Sequence, residues 1–224
     1  MSRADRKRGD AGIAAYCTTA VALVLVTIAF LTPYWIQYDY RIYGANLEKL
    51  GLWTHCFRSL PDPKDYYHFR YFVGCRWILD PFTTGYREIR SYINPPFMVA
   101  TQVLFTFCFF LLLCACVLVF LVILHCLVKR EVRLMRIISL VLLISGIFGT
   151  FAVIVFGAKA ASEEWLPNLN PAHTYLSWSY GLAVVGVFFE FVTALLFYLE
   201  SRLQRKRDLT PSSQASYVAA STKA

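Results

Sequence analysis

Charge is what this chain has least of. Asp, Glu, Lys and Arg make up only 16% of its 224 residues, against 58% hydrophobic, which is greasier than a soluble domain. Four stretches hold almost no charge: residues 11–38, 91–128, 137–158 and 173–199, the last with a single acid, Glu190. A bilayer core about 30 Å thick is crossed by about 20 helical residues, so each stretch is long enough to span. Runs of this length exclude buried helices of a soluble protein. The first also exceeds the apolar core of about 7–15 residues of a cleavable leader, and it reads as an uncleaved signal anchor.

Catalytic groupings are lacking as well. There is no Gly-rich phosphate loop, nucleophile elbow or metalloprotease His pair, so the reading is of a non-enzyme without cofactor or metal. Of the four histidines, His55 and His68 share a loop with cysteines, whereas His125 and His173 have no visible partner. A zinc site at the first pair would want the thiols free.

What the chain does have is cations in telling places. Arg3, Arg6, Lys7 and Arg8 precede the first span, Lys129, Arg130, Arg133 and Arg136 separate spans two and three, and Arg202, Arg205, Lys206 and Arg207 follow the fourth. Cytoplasmic segments carry such an excess. The layout is therefore a cytoplasmic start (1–10), span one (11–36), a large outer loop (37–94) and span two (95–128). A cytoplasmic link (129–136), span three (137–158), a small outer loop (159–172), span four (173–200) and a tail (201–224) follow. The net charge of +8 is mostly this topology signal with some affinity for anionic lipid, and nucleic acid has no place in it. Short links make neighbouring helices antiparallel, which predicts a four-helix transmembrane bundle. Asn94-Pro95-Pro96 marks the start of span two. The Ser- and Thr-rich tail lacks a core and is expected to be disordered.

The large loop reads as strand. Residues 66–79 are aromatic and β-branched between prolines, and 34–43 and 52–57 are further candidates. Phe69, Tyr71, Val73, Cys75, Trp77 and Leu79 alternate onto one face, expected to pack; His68, Arg70 and Arg76 fall on the other, expected to be wet. The result is a small extracellular antiparallel sheet. Cys56 and Cys75 are the only cysteines outside the spans, where oxidising conditions let a disulfide persist. They either pair, for about 3 kcal/mol, or remain free or intermolecular thiols. Cys126 lies near the inner face beside Lys129 and Arg130, open to palmitoylation or simply packed. Ser145, Gly149 and Gly157 form a small-residue stripe for close helix packing. Glu190 is costly in a membrane unless buried and paired. A protonated acid hydrogen-bonded to Ser145 or Thr18 is the reading, since no second ionisable group shares its depth.

Trp35, Gly51-Leu52-Trp53, then Cys56 and a second Cys within a four-span layout resemble the claudin superfamily. That group includes claudins, peripheral-myelin and epithelial-membrane proteins, and calcium-channel gamma subunits. The gap of 18 residues between Cys56 and Cys75 is longer than in vertebrate claudins and is nearer to invertebrate septate-junction relatives. The resemblance implies a claudin-like bundle whose outer sheet is pinned by the Cys56–Cys75 disulfide. Trp35, Gly51, Leu52 and Trp53 would anchor that sheet, and Arg90, with Arg87 second, would be the arginine at the head of span two. It implies a plasma-membrane protein of lateral cell–cell junctions that associates with itself in cis and trans, or with other claudin-like proteins. It would form a paracellular barrier or a pore, with His68, Arg70 and Arg76 as the charge-selective face. The alternative it implies is an auxiliary subunit of a channel or receptor. The end Ser221-Thr222-Lys223-Ala224 offers a weak scaffold ligand.

Overall fold

The computed structural model describes residues 10–38, 47–62, 65, 69–82, 93–124, 131–160 and 174–221, with side chains through residue 207. His68, Arg87, Arg90, Cys126 and the last three residues of the chain lie outside the described residues. Four helices are long and apolar enough to cross a membrane: α1 (Asp10–Leu31), α2 (Pro96–Ile123), α3 (Glu131–Ala160) and α4 (Trp178–Ser221). At 1.5 Å per residue they run about 33, 42, 45 and 66 Å. α2 packs on α3, α3 on α4 and α4 on α1, with a lighter α1–α2 contact closing the ring.

α1 is apolar on every side, so what selects its inner face is size. In α1 the buried positions are Gly12, Ala15, Thr19, Ala22, Val26 and Ala29, a heptad of small side chains that lets α4 approach closely. Large residues such as Val24, Phe110, Phe120, Phe151 and Phe188 point outward. Gly149 shows how tight the interior is: a Cβ there would lie 2.5 Å from Val187 Cγ2 and 3.0 Å from Cys108 Sγ.

At one end of the bundle sits a five-stranded antiparallel sheet: β1 (Ile36–Tyr38), β2 (Leu47–Leu50), β3 (Thr54–Pro61), β4 (Tyr71–Trp77) and β5 (Thr174–Leu176). Their order across the sheet is β4-β3-β2-β1-β5. Span one ends at Leu31 because Pro33 follows, and a residue before proline is driven to extended backbone. Proline also opens α2, with Pro95 extended at the cap and Pro96 in the first turn, where its missing N–H costs nothing.

Four expectations need correction. The strand candidate 52–57 straddles a turn, and β3 starts only at Thr54. Span four starts at Trp178, five residues later than expected, because Thr174–Leu176 pairs with β1. The expected disordered tail is helical as far as Ser221. Glu200 is buried at the span's expected end and Ser201 and Gln204 beyond it, and Glu200 lies against Gly12, where a Cβ would fall 3.5 Å from the Glu200 Cδ.

The fourth correction concerns β4. Its alternation is as expected but its sides are exchanged: Phe72 and Ile78 are buried, while Phe69, Tyr71, Val73, Trp77 and Leu79 are half or more exposed. Arg76 stands on the packed side, partly buried, with Nη1 3.9 Å from Asp80 Oδ2. The physical reason is that Asp80 gives the arginine a partner there, and Leu47, Leu50, Phe57, Phe72 and Ile78 fill the inner layer.

Candidate functional site

Trp35 is the joint between bundle and sheet. Its ring is fully buried, and its Nε1–H donates to the Ala29 carbonyl at 2.7 Å, in the last turns of α1. Phe105 of α2, Phe156 of α3 and Tyr180 of α4 meet the ring edge-on at centroid distances of 5.2, 4.8 and 5.8 Å. One side chain therefore touches all four helices, in the tilted geometry aromatic quadrupoles favour. Its backbone belongs to the sheet side: Trp35 N–H donates to Leu50 O and Ser177 N–H donates to Trp35 O, each at 3.0 Å.

Gly51, Leu52 and Trp53 form the turn between β2 and β3, closed by Gly51 N–H to Thr54 O at 2.9 Å. A Cβ on Gly51 would fall 2.5 Å from Pro33 Cα and 2.8 Å from Thr32 O, so only glycine lets this turn lie on the exit of α1. Leu52 is fully buried, and its carbonyl accepts from Gln102 Nε2 of α2 at 2.7 Å. Trp53 tilts against Phe30 at 5.6 Å. Gln102 was not legible as a site residue, because a lone glutamine in an apolar run gives no motif.

From this base the β3–β4 hairpin extends. Cys56 and Cys75 face each other in register and are joined by a disulfide, which pairs the two thiols internally. At the far end the tip is built by Asp65, whose Oδ2 accepts the N–H groups of Phe69 and Arg70 at 2.8 and 2.9 Å. Asp62 N–H closes onto Arg70 O at 3.0 Å. Asp65 likewise has no signature, since a single acid in a polar insertion looks like solvated loop.

Within the hairpin His55 of β3 is fully buried, with its ring edge-on to Phe57. Desolvation pushes its pKa down from 6.5 to about 3, so it sits neutral. Lys49 Nζ donates to Tyr34 Oη at 3.0 Å. That bond to the Tyr34 hydroxyl is the main cause that raises the lysine pKa.

The outward face of this hairpin is aromatic and aliphatic rather than basic. Phe69 is 83% exposed, Tyr71 54%, Val73 60% and Trp77 55%. Of the three residues expected on a basic wet face, Arg70 is exposed, Arg76 is turned inward onto Asp80, and His68 lies outside the described residues.

Within the bundle Glu190 is fully buried. The Cys108 thiol donates to its Oε1 at 3.4 Å, and Ser145 Oγ donates to the Cys108 carbonyl at 2.8 Å. Thr18 donates instead to Ala14 and Ala15 of its own helix. No group of three or more metal-ligating side chains occurs among the described residues.

The family model described as PMP-22/EMP/MP20/Claudin tight junction matches residues 20–199. No curated protein matches the chain. The matched segment runs from α1 into α4 and includes the whole sheet, and the chain belongs to this family.

Proposed function

We propose that this member of the PMP-22/EMP/MP20/claudin family is a cell–cell junction protein that associates through its sheet. In this reading both termini are cytoplasmic, the sheet is extracellular and the protein lies at lateral contacts of the plasma membrane. The observation that carries it is the outward face of β4. Phe69, Tyr71 and Val73 are exposed on a hairpin that a disulfide, the Asp65 tip and the Trp35 joint hold rigid. Apolar side chains presented on a rigid sheet favour protein contact, since little ordering entropy is left to lose. Trp35 with Gly51, Leu52 and Trp53 acts as the anchor that fixes the angle of this face to the membrane.

Copies would meet side by side in one membrane and face to face across two, forming a barrier or a pore in the paracellular route. In a pore, Arg70 is an exposed cation of the hairpin, as is Arg58, and would disfavour cations; Arg70→Glu should then raise cation over anion permeation. Unchanged ion preference would remove the charge-selective role.

The direct experiment is imaging of the N-terminally tagged protein in cells that form no occluding junctions. Enrichment where two expressing cells touch, and not where an expressing cell meets a bare one, supports association across membranes. Uniform surface labelling contradicts self-association and favours an auxiliary subunit of a channel or receptor, or an obligate heterotypic partner.

A further inference from the structure

The apolar face of β4 continues past the strand into a turn of a different character. Trp77 pairs with Thr54, and Ile78 N–H donates to Trp53 O at 2.9 Å. The turn that follows is thus tied directly to the residue that rests on Phe30 in the last turns of α1. Leu31, which ends α1, is 65% exposed, and Val99 and Val103 at the start of α2 are 43% and 49% exposed. These residues mark the apolar outer surface of the bundle at its sheet end, the end to which Trp53 and Phe30 tie the turn.

Its polar atoms fold inward. Asp80 Oδ1 accepts Phe82 N–H at 2.9 Å, and Asp80 Oδ2 faces Arg76 Nη1. What remains outward is apolar: Trp77 55%, Leu79 50% and Phe82 93% exposed. Between them lies an open hollow of about 480 Å³, with the paired Arg76 and Asp80 also in its wall.

We propose that Trp77, Leu79 and Phe82 form a membrane foot that dips into the head-group and acyl boundary of the leaflet on the sheet side. Trp with neighbouring aliphatic and aromatic side chains is the composition that prefers that zone. The apolar face of the hairpin is thereby divided: its lower end rests on lipid, and the upper end, about 20 Å farther along the strand, is left for protein. The foot props the sheet from its β4 edge, opposite the β1–β5 edge that grows directly out of α1 and α4. It does not depend on the junction reading.

The test is tryptophan quenching in vesicles of phosphatidylcholine brominated high on the acyl chain. Emission of the full-length protein minus that of Trp77→Phe isolates Trp77, and a non-reducing gel checks that the disulfide is intact in both. The foot predicts that the brominated lipid removes most of the Trp77 emission. In Leu79→Asp/Phe82→Asp that loss should be abolished and aqueous iodide should quench instead. Trp77 emission untouched by brominated lipid overturns the proposal, whether iodide quenches it or contact between copies shields it from both.

Discussion

In α1 the buried positions are Gly, Ala, Thr and Val, while Ile13, Val21, Val24 and Leu31 face outward; in the sheet Leu47, Leu50, Phe57 and Phe72 are buried, while Phe69, Tyr71, Val73 and Trp77 also face outward. The two regions thus differ in what they hide and agree in what they show. In α1 there is no hydrophobic gain in turning large side chains inward, because lipid receives them equally well, so small residues win its inner face by close packing and leave room for Phe105, Leu112, Phe156 and Phe197 of the other helices. The sheet stands beyond the hydrocarbon and builds its inner layer by ordinary hydrophobic burial. Its exposed aromatic residues therefore need a cover of their own. That contrast teaches where to look for function: an outward Phe on α2 is explained by lipid, an outward Phe on the hairpin tip is not.

The comparison breaks most completely at the joint. Trp35→Ala removes the one ring shared by four helices and should cost about 3–5 kcal/mol, as large-to-small changes at buried tryptophan do. The expected outcome is a sheet cut quickly by protease while helical circular dichroism persists; equal loss of both would mean that bundle and sheet fold as one unit. Gly51→Ala acts on the same joint from the other side. A methyl meeting the Pro33 backbone should cost about 1–3 kcal/mol, read as a lower thermal midpoint in detergent and faster proteolysis of the sheet alone.

A smaller effect, specific to the sheet, comes from pH. His55 binds its proton near pH 6.5 when unfolded and only near 3 when folded. The unfolded chain therefore takes up the extra proton between those values. The stability from keeping His55 neutral is complete above about pH 6.5 and falls as pH drops toward 3. Protease resistance of the sheet should decline over that window, and His55→Gln should flatten the decline. Arg70→Glu lies at the bottom of the scale for stability, being an exposed surface change worth within about 0.5 kcal/mol, so any effect of it on permeation would be free of unfolding.

The four spans were legible because uncharged runs of such length have no other use, and the Trp35, Gly51-Leu52-Trp53 pattern located the sheet. The rest was hidden for physical reasons. Leu47–Leu50 reads Leu-Glu-Lys-Leu, which has the composition of a helix and becomes a strand only by pairing with neighbours on both sides. Thr174–Leu176 is three residues long and gains its identity from a partner about 140 positions away. The alternation along β4 was plain in the sequence, but periodicity cannot say which face is inward. The usual rule, apolar in and charged out, fails because Arg76 has Asp80 beside it and the apolar side is left exposed. Gln102 and Asp65 act through hydrogen bonds to backbone, one from Gln102 and two to Asp65, which leave no pattern in sequence.

In the junction reading the upper hairpin face is a contact surface between copies. Its most direct test is the mixed-cell imaging experiment with Tyr71→Ser/Val73→Ser, two changes on the outward side that leave the disulfide, Asp65 and Trp35 in place. At equal surface expression, labelling at contacts between expressing cells should fall to the level of the free surface. Undiminished enrichment at those contacts would contradict it.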